Sequence, residues 1–391
     1  MSRNSFTKPC KVLFLTALML SFSGATTQLL AGDDPTADYV APVTQLRAKD
    51  GFASDFSGVW QGDNAVLFKD WLYVISCKPW RIQQLNVDAT TANISYRGAL
   101  AMPTSQPLAL VHAVSRKHAD GNGMMYVFFS THEKPSESSL YSFSLDAKTG
   151  TVAPKGKVKL PADHIQWAMA PSDTRLYAIC EGKSIAAYRF AEDGVPVEDG
   201  TYASTGYGRD KDGFFSGDGR NLYITAPANP ANPNGRVDRY DCDVASGKLT
   251  HASTLSLPES PRKGKGGGVK LCGVRPDGKY FYVLSADDKG EGALFVLKRE
   301  GEKGDPTVAS SDKPLPGLAN LNFTADGKTG FYFANGRFNW FTCDPSTGVL
   351  THVATSGFGL DRLRCVVLDR DHGSLFTLNG RGADSFKLKK P

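Results

Sequence analysis

Six residues of this 391-residue sequence carry side chains that could perform hydrolysis, and they fall at or beside corresponding positions of an internal repeat. His164 and Glu181 are of the types that act as general bases on a water molecule, and the ammonium group of Lys270 can stabilise developing negative charge. We name these three as candidate catalytic residues. The other three are cations suited to holding a carboxylate, and we name them as candidate substrate-binding residues: Arg209, Lys211 and Arg364.

Strands must bring these side chains together, and the sequence contains a repeat that predicts such strands. A short apolar run with an aromatic anchor occurs seven times, at spacings of 44 to 59 residues. The anchors are Tyr73, Tyr126, Tyr177, Tyr223, Tyr282, Tyr332 and Phe376. A recurring period of this length is typical of propellers and other repeat architectures.

Turn signals divide each copy in the same way. Asp-Gly precedes the anchor run, as at Asp277-Gly278, and Asp-x-x-Ser/Thr-Gly follows the third run, as at Asp344 to Gly348. Asn-Gly-Arg occurs at 234–236, 335–337 and 379–381, where we interpret it as turn chemistry. Four antiparallel strands per copy predict an all-β fold, a seven-bladed β-propeller.

The ends of the chain predict how the ring closes. The seventh copy stops after its third strand, at 385–390, and the segment from Tyr39 to Ala48 has strand-like character before the first copy begins. We expect this N-terminal segment to supply the missing outer strand of the last blade. That arrangement would avoid two unpaired sheet edges.

The repeat also predicts where the candidate residues lie. Counting the same distance back from the first turn of each copy places Lys211, Lys270 and Arg364 at one mouth of the central channel. His164 stands beside the corresponding residue of the third copy, and Arg209 stands near Lys211. Counting forward from the anchors, Glu181 is the one charged residue.

Clustered cations at a channel mouth would attract a small anionic or sugar-derived ligand. The alternative is that these basic side chains are solvated or paired with Asp210 and Asp361. Both arrangements fit the register of the repeat.

The repeat Asp-Gly-(Lys/Arg)-x-Leu-Tyr-(Val/Ile), followed by Tyr-x-x-Asp-x-x-(Ser/Thr)-Gly-x-Leu, resembles the YVTN-type propellers. In particular, residues 55 to 390 look like the lactonase family typified by 6-phosphogluconolactonase and the fungal muconate-cycloisomerising enzymes. The resemblance implies histidine and arginine at the counted position of the innermost strands. It implies an acid at the counted position of the second strands. Gly268-Val269-Lys270 resembles the family's Gly-Pro-Arg with lysine in place of arginine, whereas the His-Pro-His sequence is replaced by Asp163-His164.

The same resemblance implies three kinds of function. The first is an enzyme, a lactonase-type hydrolase acting on a sugar lactone or related small anionic substrate. The second is a non-catalytic scaffold that binds a ligand or a protein partner, and the third is a cofactor-free subunit of a periplasmic redox enzyme.

The N-terminus predicts export. Arg3, Lys8 and Lys11 precede an uncharged apolar stretch, and small residues follow at Ser23-Gly24-Ala25. We expect a signal peptide over 1–25, a linker over 26–38 and a single propeller domain over 39–391, placed in the periplasm or outside the cell. Loss of the three basic residues lowers the formal net charge from +5 to +2. This low charge argues against an extended basic surface of the kind that binds nucleic acid. No later segment is apolar enough to span a membrane.

The remaining residue types predict neither a metal nor a cofactor. The seven histidines have no zinc-like spacing, and there is no Cys-x-x-Cys-His sequence for haem attachment. The six cysteines after Cys10 lie in or at the ends of apolar runs, which favours buried thiols over disulfides. We expect a monomer.

Overall fold

The protein is described by a computed structural model. It covers residues 40–50, 52, 64–76, 80–102, 108–117, 120–131, 138–161, 165–169, 174–180, 184–204, 212–227, 234–258, 268–286, 292–301, 303–313, 315, 318, 320–356, 363, 365–379 and 382–389. These ranges hold 28 β-strands and one short 3₁₀ turn, Ala48–Asp50. No helix among them is both long enough and apolar enough to cross a membrane.

The strands form seven four-stranded antiparallel sheets, the blades, and the predicted seven-bladed β-propeller is confirmed. Blade 1 contains β2 (Ala65–Phe68), β3 (Trp71–Ser76), β4 (Arg81–Val87) and β5 (Ile94–Ala101). Blade 2 contains β6 (Leu108–Lys117), β7 (Gly123–Thr131), β8 (Ser138–Leu145) and β9 (Val152–Lys159). Blade 3 contains β10 (Ile165–Met169), β11 (Arg175–Cys180), β12 (Ser184–Phe190) and β13 (Pro196–Ala203). Blade 4 contains β14 (Gly213–Phe215), β15 (Asn221–Ala226), β16 (Arg236–Cys242) and β17 (Leu249–Ser256). Blade 5 contains β18 (Val269–Val274), β19 (Tyr280–Ala286), β20 (Gly292–Glu300) and β21 (Asp305–Asp312). Blade 6 contains β22 (Leu321–Phe323), β23 (Thr329–Ala334), β24 (Arg337–Cys343) and β25 (Leu350–Thr355), and blade 7 contains β26 (Cys365–Asp369), β27 (Ser374–Asn379), β28 (Gly382–Leu388) and β1 (Val40–Arg47).

The first strand of each blade is the innermost. β2 contacts β6 and β26, β10 contacts β14, and β18 contacts β22, so the first strands follow one another around the ring. Strands 1 and 3 of an antiparallel blade run in the same direction. The beginnings of these two strands therefore lie at the same end of every blade.

Blade 7 is completed by β1, as the sequence predicts. β1 pairs antiparallel with β28, from Val40 opposite Leu388 to Arg47 opposite Gly382. The guanidinium of Arg47 lies 2.7 Å from the carboxylate of Asp384, whose side chain is 3% exposed. Ladder hydrogen bonds and a mostly buried ion pair thus hold the two ends of the chain in one sheet.

The hydrophobic core is distributed between the blades. Seven clusters of buried side chains occur, and each joins two neighbouring blades, including blade 7 with blade 1. Because each blade packs only on its two neighbours, the core grows by repetition and a chain of this length needs no second core.

The aromatic anchors also connect successive blades through hydrogen bonds. In five junctions a buried tyrosine hydroxyl donates to the carbonyl oxygen of the glycine that ends the turn between strands 3 and 4 of the next blade. The pairs are Tyr73 to Gly150 at 3.1 Å, Tyr126 to Gly194 at 2.8 Å, Tyr177 to Gly247 at 2.9 Å, Tyr282 to Gly348 at 2.8 Å, and Tyr223 to Gly304. The repeated tyrosine and glycine therefore correspond to one contact that recurs at five junctions in the described part of the ring.

The aspartate of the Asp-x-x-Ser/Thr-Gly sequence organises this same turn. The Asp146 carboxylate accepts hydrogen bonds from the backbone N–H groups of Lys148 at 2.9 Å and Thr149 at 2.7 Å. Gly150 then has a φ of 72°, a left-handed conformation in which a side chain is costly. The motif is explained by turn geometry.

Candidate functional site

One of the six predicted site residues, Lys270, falls within the described residues. His164, Glu181, Arg209, Lys211 and Arg364 lie outside them. The convergence of these side chains on one channel mouth therefore stays a prediction, and the site is built here around Lys270.

Lys270 lies near the beginning of β18, the innermost strand of blade 5. It stands opposite Leu284 of β19, and its side chain is exposed. No ion pair of Lys270 occurs within the described ranges. Since an innermost strand borders the central channel, the ammonium group is available to a ligand at this end of the ring.

A carboxylate from the neighbouring blade lies beside this strand. The backbone N–H of Leu271, the residue after Lys270, donates to Oδ2 of Asp212 at 3.0 Å. Asp212 is in turn fixed in blade 4, where its N–H donates to Oγ1 of Thr225 at 3.1 Å and its carbonyl accepts from the Thr225 N–H at 2.9 Å. A cation and a carboxylate from adjacent blades are thus brought to the same strand end.

Sequence reasoning missed Asp212. The register count selected Lys211 and stopped one residue short of it. The available signal was its place immediately before Gly213, where β14 begins, because a carboxylate there can reach the next innermost strand. The interaction joins two blades, so it does not appear in the pattern of either one.

Cys272 lies two residues beyond Lys270 and is buried. Burial raises the pKa of this thiol to about 12, with the Asp212 charge acting in the same direction and the Lys270 charge opposing it. The protonated thiol points to the carbonyl oxygen of Lys270, 3.8 Å away. A nucleophile must be the thiolate, so Cys272 does not serve as one at neutral pH.

Ser285 stands opposite Val269 in β19, where the lactonase resemblance implies an acid in this blade. Its hydroxyl is buried and donates to the carbonyl oxygen of Asn234 at 3.1 Å. Asn234 belongs to the turn between β15 and β16 of blade 4. The serine therefore joins two blades and takes no acid–base role.

The other cysteines and the metal-ligating residues add no further chemistry to the described part. Cys180, Cys242, Cys343 and Cys365 are free thiols, as is Cys272. Within the described ranges no group of three histidine, cysteine, aspartate or glutamate side chains is placed to hold a metal ion. Cys77 lies outside those ranges.

A cleft in the described surface lies on blades 2 and 3, away from the blade that carries Lys270. It has a volume of about 480 Å³ and lies between blades 2 and 3, against the turns that hold Asp146 and Asp193. Asp146 is engaged by the backbone of its own turn, which lowers its pKa. We assign this cleft no role because its polar groups already hold the turns together.

Solved structures share this architecture. The chain superposes on a periplasmic gluconolactonase from Pseudomonas aeruginosa with a TM-score of 0.56 and 16% identity, over 74% of this chain and 83% of the other. It superposes on a candidate 6-phosphogluconolactonase from Bacteroides uniformis with a TM-score of 0.54 and 17% identity, over 73% and 81%. It superposes on a protein from Lactobacillus plantarum with a TM-score of 0.57 and 14% identity, over 78% of this chain and 86% of the other.

The chain has the fold of the lactonase-type propellers. At these identities the likeness establishes the fold and leaves the activity to be tested. No protein-family model matches the sequence, and no curated protein does.

Proposed function

We propose that the protein is an exported lactonase-type propeller that binds a small anionic or sugar-derived substrate at the channel end of blades 4 and 5 and hydrolyses a sugar lactone there. The observation that carries the proposal is that an exposed Lys270 lies next to Leu271, whose backbone N–H donates to the Asp212 carboxylate of blade 4 at the start of β18. The fold shared with a periplasmic gluconolactonase supports it.

In this reaction a water oxygen attacks the lactone carbonyl carbon while a general base takes its proton. The ring C–O bond then breaks, the ring oxygen receives a proton, and the product is an open-chain hydroxy acid. Lys270 stabilises the negative charge that develops on the carbonyl oxygen and then holds the product carboxylate. His164 and Glu181 are the proposed general bases.

The other predicted cations complete the proposed binding site. Arg209, Lys211 and Arg364 hold anionic groups of the substrate. Asp212 has a positioning role, because its carboxylate fixes the β18 backbone next to Lys270 and remains an acceptor for substrate hydroxyl groups.

Lactone hydrolysis by purified mature protein tests the proposal directly. Sugar lactones open spontaneously, so proton release is followed at constant pH and the rate without protein is subtracted. We expect Lys270→Ala to lower kcat/KM by about 100-fold, in the range lost when one stabiliser of the oxyanion is removed, and Lys270→Arg to recover part of it. Lys279→Ala removes the same charge from the exposed turn at the other end of blade 5 and should leave the rate unchanged.

Two outcomes would contradict the proposal. The first is turnover that survives Lys270→Ala combined with His164→Ala. The second is a lack of turnover across a panel of sugar lactones, and binding of the product acids without turnover would then support a ligand-binding scaffold.

Export is tested separately. We propose that residues 1–25 are removed and that the mature protein is periplasmic or extracellular. Mass spectrometry of the protein recovered from cell fractions should find a chain that begins at or close to Thr26. A full-length protein retained in the cytoplasm would contradict this part of the proposal.

A further inference from the structure

Three blades place a polar side chain at the same point near the beginning of their third strand. In blade 4 this residue is Asp238, which is buried. Nε of Arg236 lies 3.2 Å from one carboxylate oxygen and 3.1 Å from the other, and the hydroxyl of Thr254 donates to the carboxylate at 2.6 Å. The arginine side chain is 6% exposed, so the two charges neutralise each other inside the blade.

Blade 7 has the same arrangement with the arginine supplied by another strand. Asp384 occupies the position of Asp238, because each is the third residue of its blade's third strand. Its carboxylate pairs with Arg47 of β1 at 2.7 Å and accepts from the amide of Asn379 at 2.5 Å. Again a buried acid is matched by one guanidinium.

Blade 6 keeps the arginine and lacks the acid. Asn339 stands where Asp238 stands in blade 4, and Arg337 corresponds to Arg236. Arg337 is exposed, and its hydrogen bond within the described ranges goes to the carbonyl oxygen of Ser356 at 3.4 Å. No ion pair of Arg337 occurs within those ranges, in contrast to the buried pair that Arg236 makes in blade 4.

The guanidinium of Arg337 borders a cleft of about 280 Å³ that can hold a ligand. Tyr332 and Ala334 give the cleft an apolar wall, and Arg337, His352 and Thr355 give it a polar one. Since a water molecule occupies about 30 Å³ of liquid, the cleft has room for roughly nine waters or a ligand of a few heavy atoms.

The polar wall is held in place by hydrogen bonds. The hydroxyl of Thr355 donates its hydrogen to Oδ1 of Asn339 at 2.8 Å. The hydroxyl oxygen Oγ1 of Thr355 therefore accepts from Nε2 of His352 at 3.0 Å. This assigns the Nε2–H form to His352. His251 and Thr254 repeat the contact at 3.2 Å in blade 4, which shows that the third and fourth strands of both blades share this geometry.

We propose that this cleft, formed by the strands of blade 6 and Leu315, is a second binding site for a small carboxylate with a compact apolar body. The carboxylate lies in the cleft next to Asn339 and pairs with the planar guanidinium of Arg337, which suits two parallel hydrogen bonds. The apolar body packs against Tyr332 and Ala334.

Isobutyrate and isobutyramide provide a matched pair of probes, since they have nearly the same shape and differ in charge. Saturation-transfer NMR on the full mature protein, with titration of each probe, measures both affinities. We expect isobutyrate to bind at least tenfold more tightly than isobutyramide.

Asn339→Asp is the decisive variant. It recreates the arginine–aspartate pair of blade 4 in blade 6, so it should fold, neutralise Arg337 and weaken isobutyrate binding at least tenfold. Arg337→Gln should have the same effect. Lys328→Gln removes one positive charge from the exposed turn at the other end of blade 6 and should leave binding unchanged.

The proposal is wrong if isobutyrate binds wild type no better than isobutyramide does, or if neither probe binds. It is also wrong if Asn339→Asp and Arg337→Gln retain wild-type affinity while circular dichroism shows them folded. Lactone turnover at Lys270 is scored independently, since none of these variants changes a residue of that site.

Discussion

The ammonium group of Lys387, in the last strand of the chain, donates a hydrogen bond to the carbonyl oxygen of Ala89 in blade 1, at 3.1 Å. The same ammonium group lies 2.7 Å from the carbonyl oxygen of His372 and 3.4 Å from the hydroxyl of Ser374, both in blade 7. At this junction the anchor is Phe376, which has no hydroxyl. Lys387 therefore connects the two blades where tyrosine connects five other pairs.

Lys387→Met tests this connection. The variant keeps the aliphatic stem and removes three hydrogen bonds, so we expect it to lower the free energy of unfolding by about 1–3 kcal/mol. Urea unfolding followed by tryptophan fluorescence measures the loss. Lys389→Met, two residues on, is the matched charge control, and an equal loss in both variants would refute the connecting role.

Tyr73→Phe should destabilise the junction between blades 1 and 2. It leaves the carbonyl oxygen of Gly150 without its buried donor, at a cost of about 1–2 kcal/mol. Tyr96→Phe removes a hydroxyl from a half-buried tyrosine of the same blade and should change stability by less than about 0.5 kcal/mol. Equal unfolding free energies for the two variants would contradict the role of the anchor.

Gly150→Ala separates backbone strain from crowding. A Cβ at Gly150 would lie 2.1 Å from the ring of Trp71, at a φ of 72°. Gly121 has a φ of 83° and nothing within 4 Å of the same atom. We expect Gly121→Ala to cost about 1 kcal/mol from strain and Gly150→Ala about 1–3 kcal/mol more, measured by denaturant unfolding.

Acid should weaken the turns between strands 3 and 4. Hydrogen bonds from the Ser346 hydroxyl and from the N–H groups of Thr347 and Ser346 lower the pKa of Asp344 to about 2. Because the folded pKa lies below the unfolded value, this contribution is complete above about pH 4 and is lost as the pH falls toward 2.

Asp344→Asn measures that contribution. The stability difference between wild type and this variant should shrink as the pH falls from 4 to 2, in urea titrations at each pH. Asp371→Asn removes the charge of an exposed turn residue and serves as the control. A difference for Asp344→Asn that is constant across this range would contradict the assignment.

Cys272 should resist thiol reagents in the folded protein. With its pKa raised by burial to about 12, about one molecule in 10⁴ carries the thiolate at pH 8. Cys242 is half-buried and should react first. Peptide mapping after treatment with a disulfide reagent checks the order, and rapid modification of native Cys272 would contradict it.

The fold could be predicted from sequence because each repeated residue has a local role that recurs in every blade. Asp146 organises a turn, Gly150 ends it, and Tyr73 bonds to it from the preceding blade. The one exception among these turns has a structural correlate: the degenerate turn at Asp88 has Ala92 with a φ of 63° where blades 2 to 6 have glycine. This turn faces blade 7, in which the anchor is Phe376.

The site was less predictable because its parts differ from blade to blade. Asp212 acts on blade 5 from blade 4, and no pattern within one repeat reports such a contact. The three Asn-Gly-Arg turns look alike in sequence, yet Arg236 is buried in an ion pair and Arg337 is exposed beside a cleft. Two positions after the arginine, blade 4 has the acid Asp238 and blade 6 has the amide Asn339. We attribute the different environments of the two arginines to this difference.

Because β1 pairs with β28, blade 7 can form only after both strands have been synthesised. The backbone N–H of Thr44 donates to the hydroxyl of Ser385 although 341 positions separate them, so β1 is synthesised long before its partner β28. A chain interrupted before β28 therefore keeps an open sheet edge on each side of the gap. Translation must therefore pass β28 before both edges are protected from proteases and from other unfinished chains.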